Sequence, residues 1–341
     1  MRLFAGMAAV LGVVMMEAPY AQCPGDPVEI ARILAARYPA QPMMSYIPAL
    51  SWSGQLRLFE LTGETVWRDR ALKDIEAFTS GRTPPIAEPY RLTSLAGAFA
   101  FLDAATIAGN SAAHRVGMNV AQHMANAEGT DVRFATGWTD DMFMVSSVWS
   151  RTGTATEQAL LATVLTSYAT TLQRPDGIFV HAADGPYAWG RGNGFALLGL
   201  AEALTYTPPG WSGRGRVLEI YRKHVSALTR LQNDDGSWRQ VVDEPASYKE
   251  LTVTAMTTAA IARGVRLGWI DRNTYEPVAA RGWTAVAARV NVDGTVKDVC
   301  SGTGAQHSRD YYLNRPVVNG ADDRGGAMAL LAAIEMASLQ R

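Results

Sequence analysis

The sequence predicts an all-α fold in which six helical hairpins form a toroid of inner and outer helices. Helical periodicity recurs along the 341 residues, glycine ends several of these stretches, and strand-like segments are few and short. Two helices joined by a very short connection must run antiparallel. In such a fold the inner helices are apolar nearly all round and the outer helices are amphipathic. A helical solenoid is the competing architecture, but no repeat of constant length is seen.

The first three predicted helices carry clear boundary signals. Residues 26–38 begin with an Asp-Pro pair, which suits an N-cap followed by the first helical turn. Residues 47–63 end at Gly63, a typical residue after a helix C-terminus. Residues 64–81 follow without a linker and also end at glycine, so these last two helices should form a hairpin.

Nine further helices complete a set of twelve, six hairpins in all. They lie near residues 93–108, 111–127, 139–152, 154–172, 191–205, 213–232, 249–268, 272–290 and 323–338. The stretches 192–204 and 250–265 are rich in small residues and predict inner helices, whereas 213–232 carries Arg and Lys on one face and predicts an outer helix. Two extended stretches, 177–182 and 236–242, each begin at an Asp-Gly turn and are too isolated for a major sheet.

The N-terminus has the pattern of a secretory signal peptide. Arg2 provides a short basic region, residues 5–16 are apolar, and Ala21 is a candidate cleavage residue. The apolar stretch is too short to span a bilayer. We therefore expect residues 1–21 to be removed and residues 22–341 to form a single domain, periplasmic or secreted, without membrane insertion. The alternative is a buried first helix.

Composition excludes several classes of partner. The formal net charge is −1 and no cluster of Lys and Arg stands out, so nucleic-acid binding is not expected. The two cysteines, Cys23 and Cys300, could pair in an oxidising compartment, but their number alone does not decide this. No CxxC or HExxH motif is present, and we expect neither a metal nor a cofactor.

The segment GWTDDMFMV places two adjacent aspartates, Asp140 and Asp141, in an apolar run. On a helix, neighbouring side chains point about 100° apart, so one carboxyl group can do chemistry while the other caps or pairs. Asp140 can share the apolar surroundings of Trp138, and burial raises the pKa of a carboxyl group, which makes it a proton donor. Alternatively, Asp140 or Thr139 only caps the helix.

A second group of polar and aromatic residues precedes the predicted inner helix at 192–204. His181, Trp189 and Arg191 lie here around a Gly-x-Gly-x-Gly run. No strong strand precedes this run, so it is not a dinucleotide fingerprint. Trp offers a flat face to a sugar, and Arg can bind a carboxylate through two hydrogen bonds. A surface salt bridge and a core tryptophan are the alternatives.

Later loops add further candidates. His307, Asp310, Tyr311 and Tyr312 lie in a long polar segment that precedes the last apolar helix. Loops gathered at one end of a helical toroid would surround its mouth. These four residues therefore either contact a substrate or satisfy the loop backbone.

Six segments, in order along the chain, carry a resemblance to a known family. They read GQLRLFELTG, GWTDDMFM, WGRGNGFALLGLAEAL, DDGSWRQVVDEPASYKELTVTAM, IARGVRLGWID and VKDVCSGTG, and a DYY motif and a Gly-rich last helix follow. Together they resemble the unsaturated rhamnogalacturonyl hydrolase family and the related unsaturated glucuronyl hydrolases, from about Tyr46 to the C-terminus. The resemblance implies an (α/α)6 barrel, in agreement with the twelve predicted helices.

The resemblance also implies a reaction. Its substrates would be anionic oligosaccharides that polysaccharide lyases leave with a terminal 4,5-unsaturated uronic acid. A carboxylic acid protonates C4, water adds at C5, and the hemiketal opens to release the rest of the chain. By position Asp140 is the acid and base. The positions that line the uronate subsite are Tyr46, His181, Trp189 and Arg191. Arg191 would bind the carboxylate, Trp189 would stack on the ring, and Trp138 would shape the apolar wall.

The sequence departs from the family at Thr93, where many relatives carry a second active-site aspartate. It also lacks the His and Gln often found near Tyr46 and the His that often precedes the Trp-x-Asp motif. Two alternatives follow. A hydrolase of saturated uronosides would need a second carboxyl group near Asp140, from Asp184, Glu250 or Asp310. A glycan-binding protein that has lost catalysis is the other.

Overall fold

The computed structural model describes residues 25–341. The helices are α1 (Pro27–Arg37), α2 (Tyr46–Thr62), α3 (Thr65–Thr79), α4 (Leu92–Leu95), α5 (Ala98–Ala108), α6 (Ser111–His123), α7 (Asp140–Thr152), α8 (Ala155–Leu172), α9 (Gly190–Tyr206), α10 (Arg214–Thr229), α11 (Leu251–Arg266), α12 (Arg272–Ala287), α13 (Arg309–Leu313) and α14 (Asp323–Leu339). The strands are β1 (Trp238–Arg239), β2 (Lys249–Glu250), β3 (Val296–Cys300) and β4 (Val317–Gly320). The predicted signal peptide and Cys23 lie outside the described residues.

Six helices form a closed inner ring. Helices α2, α5, α7, α9, α11 and α14 contact one another in that order, and α14 returns to α2. The outer helices α1, α3, α6, α8, α10 and α12 pack around them. Helices α9 and α11 are buried along nearly their whole length, as predicted for inner helices, whereas α10 buries one face. The predicted (α/α)6 barrel is therefore confirmed.

The two ends of the barrel are built differently. Each inner helix from α2 to α7 passes to its outer partner through a tight turn, in which Gly63, Gly109 and Gly153 adopt positive φ angles of 75°, 66° and 75°. The connections from outer to inner helices are longer and lie at the N-termini of the inner helices. We call these ends the turn end and the loop end. Among residues 25–341, no helix is long and apolar enough to cross a membrane.

The predicted helix at 93–108 is interrupted. It divides into α4 and α5 at Gly97, where the chain passes close to the N-cap of α2. A Cβ atom on Gly97 would lie 2.9 Å from the backbone nitrogen of Ser45 and 3.1 Å from the carbonyl oxygen of Ser94. This close approach is a tertiary feature, which helical periodicity does not reveal. Five other predicted helices end two to four residues earlier than expected.

Two small antiparallel sheets lie within the long loops. Strand β1 falls inside the predicted extended stretch 236–242 and pairs with β2, and β3 pairs with β4. The other predicted stretch, 177–182, makes only isolated bridges. Strands β2 to β4 were not predicted from the sequence. They matter for the loop end because they position Glu250 and Cys300 beside the start of α11.

Candidate active site

The first turn of α7 gives the two adjacent aspartates different roles. Asp141 is buried, and its Oδ2 accepts hydrogen bonds from the backbone nitrogens of Thr136 (2.7 Å) and Gly137 (2.9 Å) and from the Tyr168 hydroxyl (2.6 Å). Burial raises the pKa of Asp141, and the hydrogen bond from Tyr168 opposes this rise. Asp141 therefore fixes the loop that leads into α7.

The side chain of Asp140 lies beside His181 and does not cap helix α7. The N-cap of α7 is Thr139, whose side chain accepts no capping hydrogen bond, and Asp140 is the first helical residue. The capping alternative is therefore not observed. The Asp140 side chain is 17% exposed, and its Oδ2 lies 3.4 Å from Nε2 of His181. The sequence predicted an apolar setting for Asp140, but the deeper burial belongs to Asp141, because one helical step turns that carboxyl group toward α8.

His181 connects Asp140 to the surrounding aromatic residues. Its side chain is fully buried, and Nδ1 lies 2.8 Å from the hydroxyl of Tyr312. Its ring centroid lies 5.1 Å from that of Trp138 and 4.5 Å from that of Trp189. The carbonyl oxygen of His181 also accepts from the backbone nitrogen at the N-cap of α7, which ties the two segments together.

The two tryptophans differ in exposure. Trp189 is 2% exposed, and its ring centroid lies 4.5 Å from that of His181 and 5.5 Å from the guanidinium carbon of Arg191. With 2% of the residue exposed, the ring of Trp189 offers little accessible surface to a sugar, and its stacking role stays a prediction. Trp138 is partly exposed beside His181 and is the tryptophan that a ligand can reach.

Arg191 is buried at the start of α9 and is largely engaged by the protein. Its Nε donates to the Thr252 hydroxyl (2.9 Å), its Nη2 donates to the carbonyl of Cys300, and Nη2 lies 3.8 Å from Glu250. Among the described residues, no partner faces Nη1. Carboxylate binding by Arg191 stays a prediction.

Tyr46 lies at the first position of α2, and its ring packs edge-on against Phe143 and Phe195. Burial raises the pKa of Tyr46 to about 12, although the charge of Arg191 acts against this rise. Tyr46 is therefore a neutral phenol whose electrostatic neighbours are Arg191 and Asp140.

Sequence reasoning named Glu250 only as a possible second carboxyl group and missed its capping role, and it missed the pair formed by Asp322 and Arg324. Glu250 caps α11, is fully buried, and accepts hydrogen bonds from the backbone nitrogens of Val253 and Cys300. Asp322 caps α14 and pairs with Arg324 at 2.8 Å. An acidic residue directly before an apolar helix was the available signal, since it predicts an N-cap.

The four candidate residues of the last loop differ in exposure and in contacts. His307 and Asp310 are exposed, and the hydroxyl of Tyr311 accepts a hydrogen bond from the backbone of Gly304. Only Tyr312 of these four reaches His181. Among residues 25–341, no group of three or more His, Cys, Asp or Glu side chains is arranged to hold a metal ion.

The chain is similar to known glycoside hydrolases in sequence and in fold. A family model described as Glycosyl Hydrolase Family 88 matches residues 32–340. An "Unsaturated 3S-rhamnoglycuronyl hydrolase" from Formosa agariphila is 36% identical over 110 residues, 32% of this chain and 29% of that protein. The "Unsaturated rhamnogalacturonyl hydrolase YesR" of Bacillus subtilis is 28% identical over 217 residues, 60% of each chain.

Among solved structures, a family 105 glycoside hydrolase from C. acetobutylicum superposes with a TM-score of 0.79 at 19% identity, covering 90% of this chain and 98% of that one. At this identity the similarity concerns the fold. The alignments to the two curated relatives span less than two thirds of the length of each relative.

Proposed function

Because the chain belongs to Glycosyl Hydrolase Family 88, we propose that it removes 4,5-unsaturated uronic acid from the non-reducing end of oligosaccharides. The names of the relatives, which are hydrolases of unsaturated rhamnogalacturonyl and 3S-rhamnoglycuronyl substrates, support this substrate class. The observation that carries the proposal is the partly exposed Asp140 carboxyl group beside buried His181 at the loop end.

The proposed reaction uses one carboxyl group twice. Asp140 donates a proton to C4 of the enol ether, and positive charge develops at C5 and the ring oxygen. Water then adds at C5 and gives a proton back to the carboxylate. The resulting hemiketal opens and releases the aglycone. This chemistry needs one acid near the alkene carbon, not two carboxyl groups flanking the glycosidic bond.

The electrostatics of the loop end support an anionic substrate. All six inner helices present their N-termini here, and each N-terminus carries a partial positive charge. The guanidinium of Arg191 adds positive charge near Tyr46, offset in part by Glu250 at 3.8 Å from Nη2, and no hydrogen bond from Nη1 is found among the described residues. A uronate carboxylate would be stabilised in this position, with Trp138 available to the sugar ring.

The alternative of a saturated-uronoside hydrolase finds less support. Both carboxylate oxygens of Glu250 accept hydrogen bonds from protein donors, so this side chain is committed to the structure. Asp184 and Asp310 are exposed, and neither contacts Asp140. A binding protein without catalysis remains the second alternative, since Thr93 stands where many relatives carry an aspartate.

We also propose export to the periplasm or the exterior. This proposal rests on the basic and apolar pattern of residues 1–21. N-terminal sequencing of the protein recovered from the cell exterior or the periplasm tests it, and an intact Met1 would contradict it.

The decisive test is the Asp140→Asn variant. Loss of the acid should lower kcat by roughly 10²–10⁴. A panel of lyase-digested polysaccharides is offered to both proteins, and loss of the ultraviolet absorbance of the C4=C5 double bond is followed. The Asp271→Asn variant is the control, because Asp271 caps α12 at the turn end.

Three results would separate the hypotheses. Wild-type turnover by Asp140→Asn would overturn the proposed mechanism. Cleavage of a saturated disaccharide at a comparable rate would favour the saturated-uronoside alternative. Tight binding of an unsaturated disaccharide without loss of absorbance would favour the binding protein.

A further inference from the structure

Three polar groups from distant parts of the chain form a line at the loop end. The hydroxyl of Tyr312 lies 2.8 Å from Nδ1 of His181, and Nε2 of His181 lies 3.4 Å from Oδ2 of Asp140. Tyr312 and His181 are both fully buried. Asp140 Oδ2 and His181 Nε2 are both buried, and neither has a hydrogen-bonding partner among the described residues, because their 3.4 Å contact lacks the geometry of a hydrogen bond.

The partners of Tyr312 determine the direction of its hydrogen bond. The backbone nitrogen of Gln306 donates to the hydroxyl oxygen at 3.4 Å, so that oxygen already serves as an acceptor. Nδ1 of His181 is the one acceptor that faces this hydroxyl among the described residues. A buried hydroxyl that failed to donate would leave its proton unsatisfied, at a cost in free energy. The Tyr312 hydroxyl therefore donates to Nδ1.

A proton donated to Nδ1 leaves that nitrogen without its own hydrogen. A neutral imidazole then carries its hydrogen on Nε2, which is the nitrogen that faces Asp140.

We propose that Tyr312 is a positioning residue: its hydroxyl holds His181 in the neutral tautomer protonated at Nε2 and so places an N–H group beside Oδ2 of Asp140. The inference rests on the proposed function, in which Asp140 is the acid and base. Burial keeps the pKa of Tyr312 high, at about 12, so its hydroxyl is a donor throughout the neutral range.

The consequence for the reaction is a division of labour between the two oxygens of Asp140. Oδ2 is buried beside His181, whereas Oδ1 retains exposed surface and is the oxygen that a substrate can reach. Because the N–H group of His181 lies on the Oδ2 side of the carboxyl group, the proton destined for C4 is carried on Oδ1. After transfer, the same N–H group stabilises the carboxylate that forms.

The ionisable groups around this line are few. Asp140 faces His181 from α7, and Tyr312 faces it from α13. Tyr311 and Asp184 act on Tyr312 through their charge, and Trp138 and Trp189 cover the rest of the imidazole.

The first experiment reads the tautomer in the wild-type protein. The chain is labelled with 15N-histidine, and long-range 1H–15N spectra distinguish protonated from unprotonated ring nitrogens. The chain has five histidines, and the signals lost in His181→Gln assign the ring of interest. We expect an unprotonated Nδ1 and a protonated Nε2. The opposite tautomer, or an imidazolium at the pH of activity, would overturn the proposal.

The second experiment removes only the hydroxyl, in Tyr312→Phe. We expect kcat to fall about tenfold, the scale of one hydrogen bond, with KM changed less than about threefold. The spectra should now show Nδ1 protonated in part of the population. Tyr221→Phe is the matched control, because Tyr221 is buried on α10 and donates to the carbonyl of Ala260 at 2.7 Å, away from His181.

The two variants separate a positioning role of Tyr312 from a purely structural one. Both variants should lose a similar amount of thermal stability, and only Tyr312→Phe should change kcat and the tautomer. An unchanged kcat and tautomer in Tyr312→Phe would overturn the proposal while leaving the proposed function intact. If Tyr312→Phe fails to fold, the wild-type spectrum decides. If no substrate in the panel is consumed, the proposed function fails, yet the spectrum still tests the hydrogen bond.

Discussion

Exposure separates residues of the same type at the loop end. Trp138 and Trp189 both contact His181, but only Trp138 keeps part of its ring accessible. Asp140 and Asp141 are neighbours in the chain, yet one lies beside His181 and the other binds the loop backbone. In both pairs the residue type is the same and the direction of the side chain decides its role.

The tryptophans provide a direct test of this distinction. Trp138→Ala should raise KM for the unsaturated substrate roughly 3- to 10-fold, a loss of about 1 kcal/mol of aromatic contact with the sugar. Trp189→Phe should leave KM near the wild-type value and lower the stability by on the order of 1–2 kcal/mol, because it opens a small cavity. Steady-state kinetics and urea unfolding measure the two effects. A larger KM effect for Trp189→Phe would support the predicted stacking role of Trp189.

At the scale of helices and loops, the site is assembled from the starts of inner helices. Tyr46 begins α2, Asp140 begins α7 and Arg191 lies in the first turn of α9. Glu250 and Asp322 cap α11 and α14. Since every inner helix begins at the loop end, first-turn residues converge there although they are far apart in sequence.

The break between α4 and α5 yields a prediction at this scale. Gly97→Ala should destabilise the protein by about 1–3 kcal/mol, because the added Cβ would meet the backbone of Ser45 at 2.9 Å. Gly215→Ala is the control, since no atom lies within 4 Å of its Cβ position and α10 continues through it. That control should be neutral or slightly stabilising. Urea unfolding of both variants measures the difference, and equal stabilities would contradict this account of the break.

At the scale of the whole molecule, the turn end is held by buried ion pairs. Arg151 bridges Asp103 and Glu202, each at 2.7 Å, and Arg263 joins Glu202 to Glu335. These residues come from inner helices α5, α7, α9, α11 and α14, so the network links most of the inner ring. Positive side chains are also favourable here because helix C-termini carry partial negative charge.

The network predicts a pH dependence of stability. Burial alone would raise the pKa of Glu202, but the guanidinium groups of Arg151 and Arg263 outweigh this effect and lower the pKa from 4.5 to about 2. A carboxyl group whose pKa is lower in the folded state stabilises the protein above its unfolded pKa. This stability is lost as the pH falls from 4.5 towards 2.

Glu202→Gln should therefore lose on the order of 3–5 kcal/mol at pH 7, and the difference from wild type should narrow near pH 3. Urea unfolding at both pH values measures it. Glu219→Gln, on the exposed face of α10, serves as the control and should change little. A difference that did not vary with pH would contradict the role of the charge on Glu202.

The sequence was sufficient for the helices and for part of the site. The helical periodicity of apolar residues and the glycines at helix ends predicted twelve long helices and the inner position of α9 and α11. The motifs predicted Asp140 and His181 as site residues, and the structure places Oδ2 of Asp140 3.4 Å from Nε2 of His181. Their catalytic and binding roles stay predictions, as does the signal peptide.

What the sequence determined by itself was the identity of each helix, because periodicity and capping are local properties of neighbouring residues. What only the tertiary structure decided was direction and partnership: which aspartate faces His181, that Trp189 is covered, and that Tyr312 reaches His181 across 131 positions. The physical reason is that burial and hydrogen bonding depend on atoms brought close by packing of the whole ring, and separation along the chain does not encode those distances.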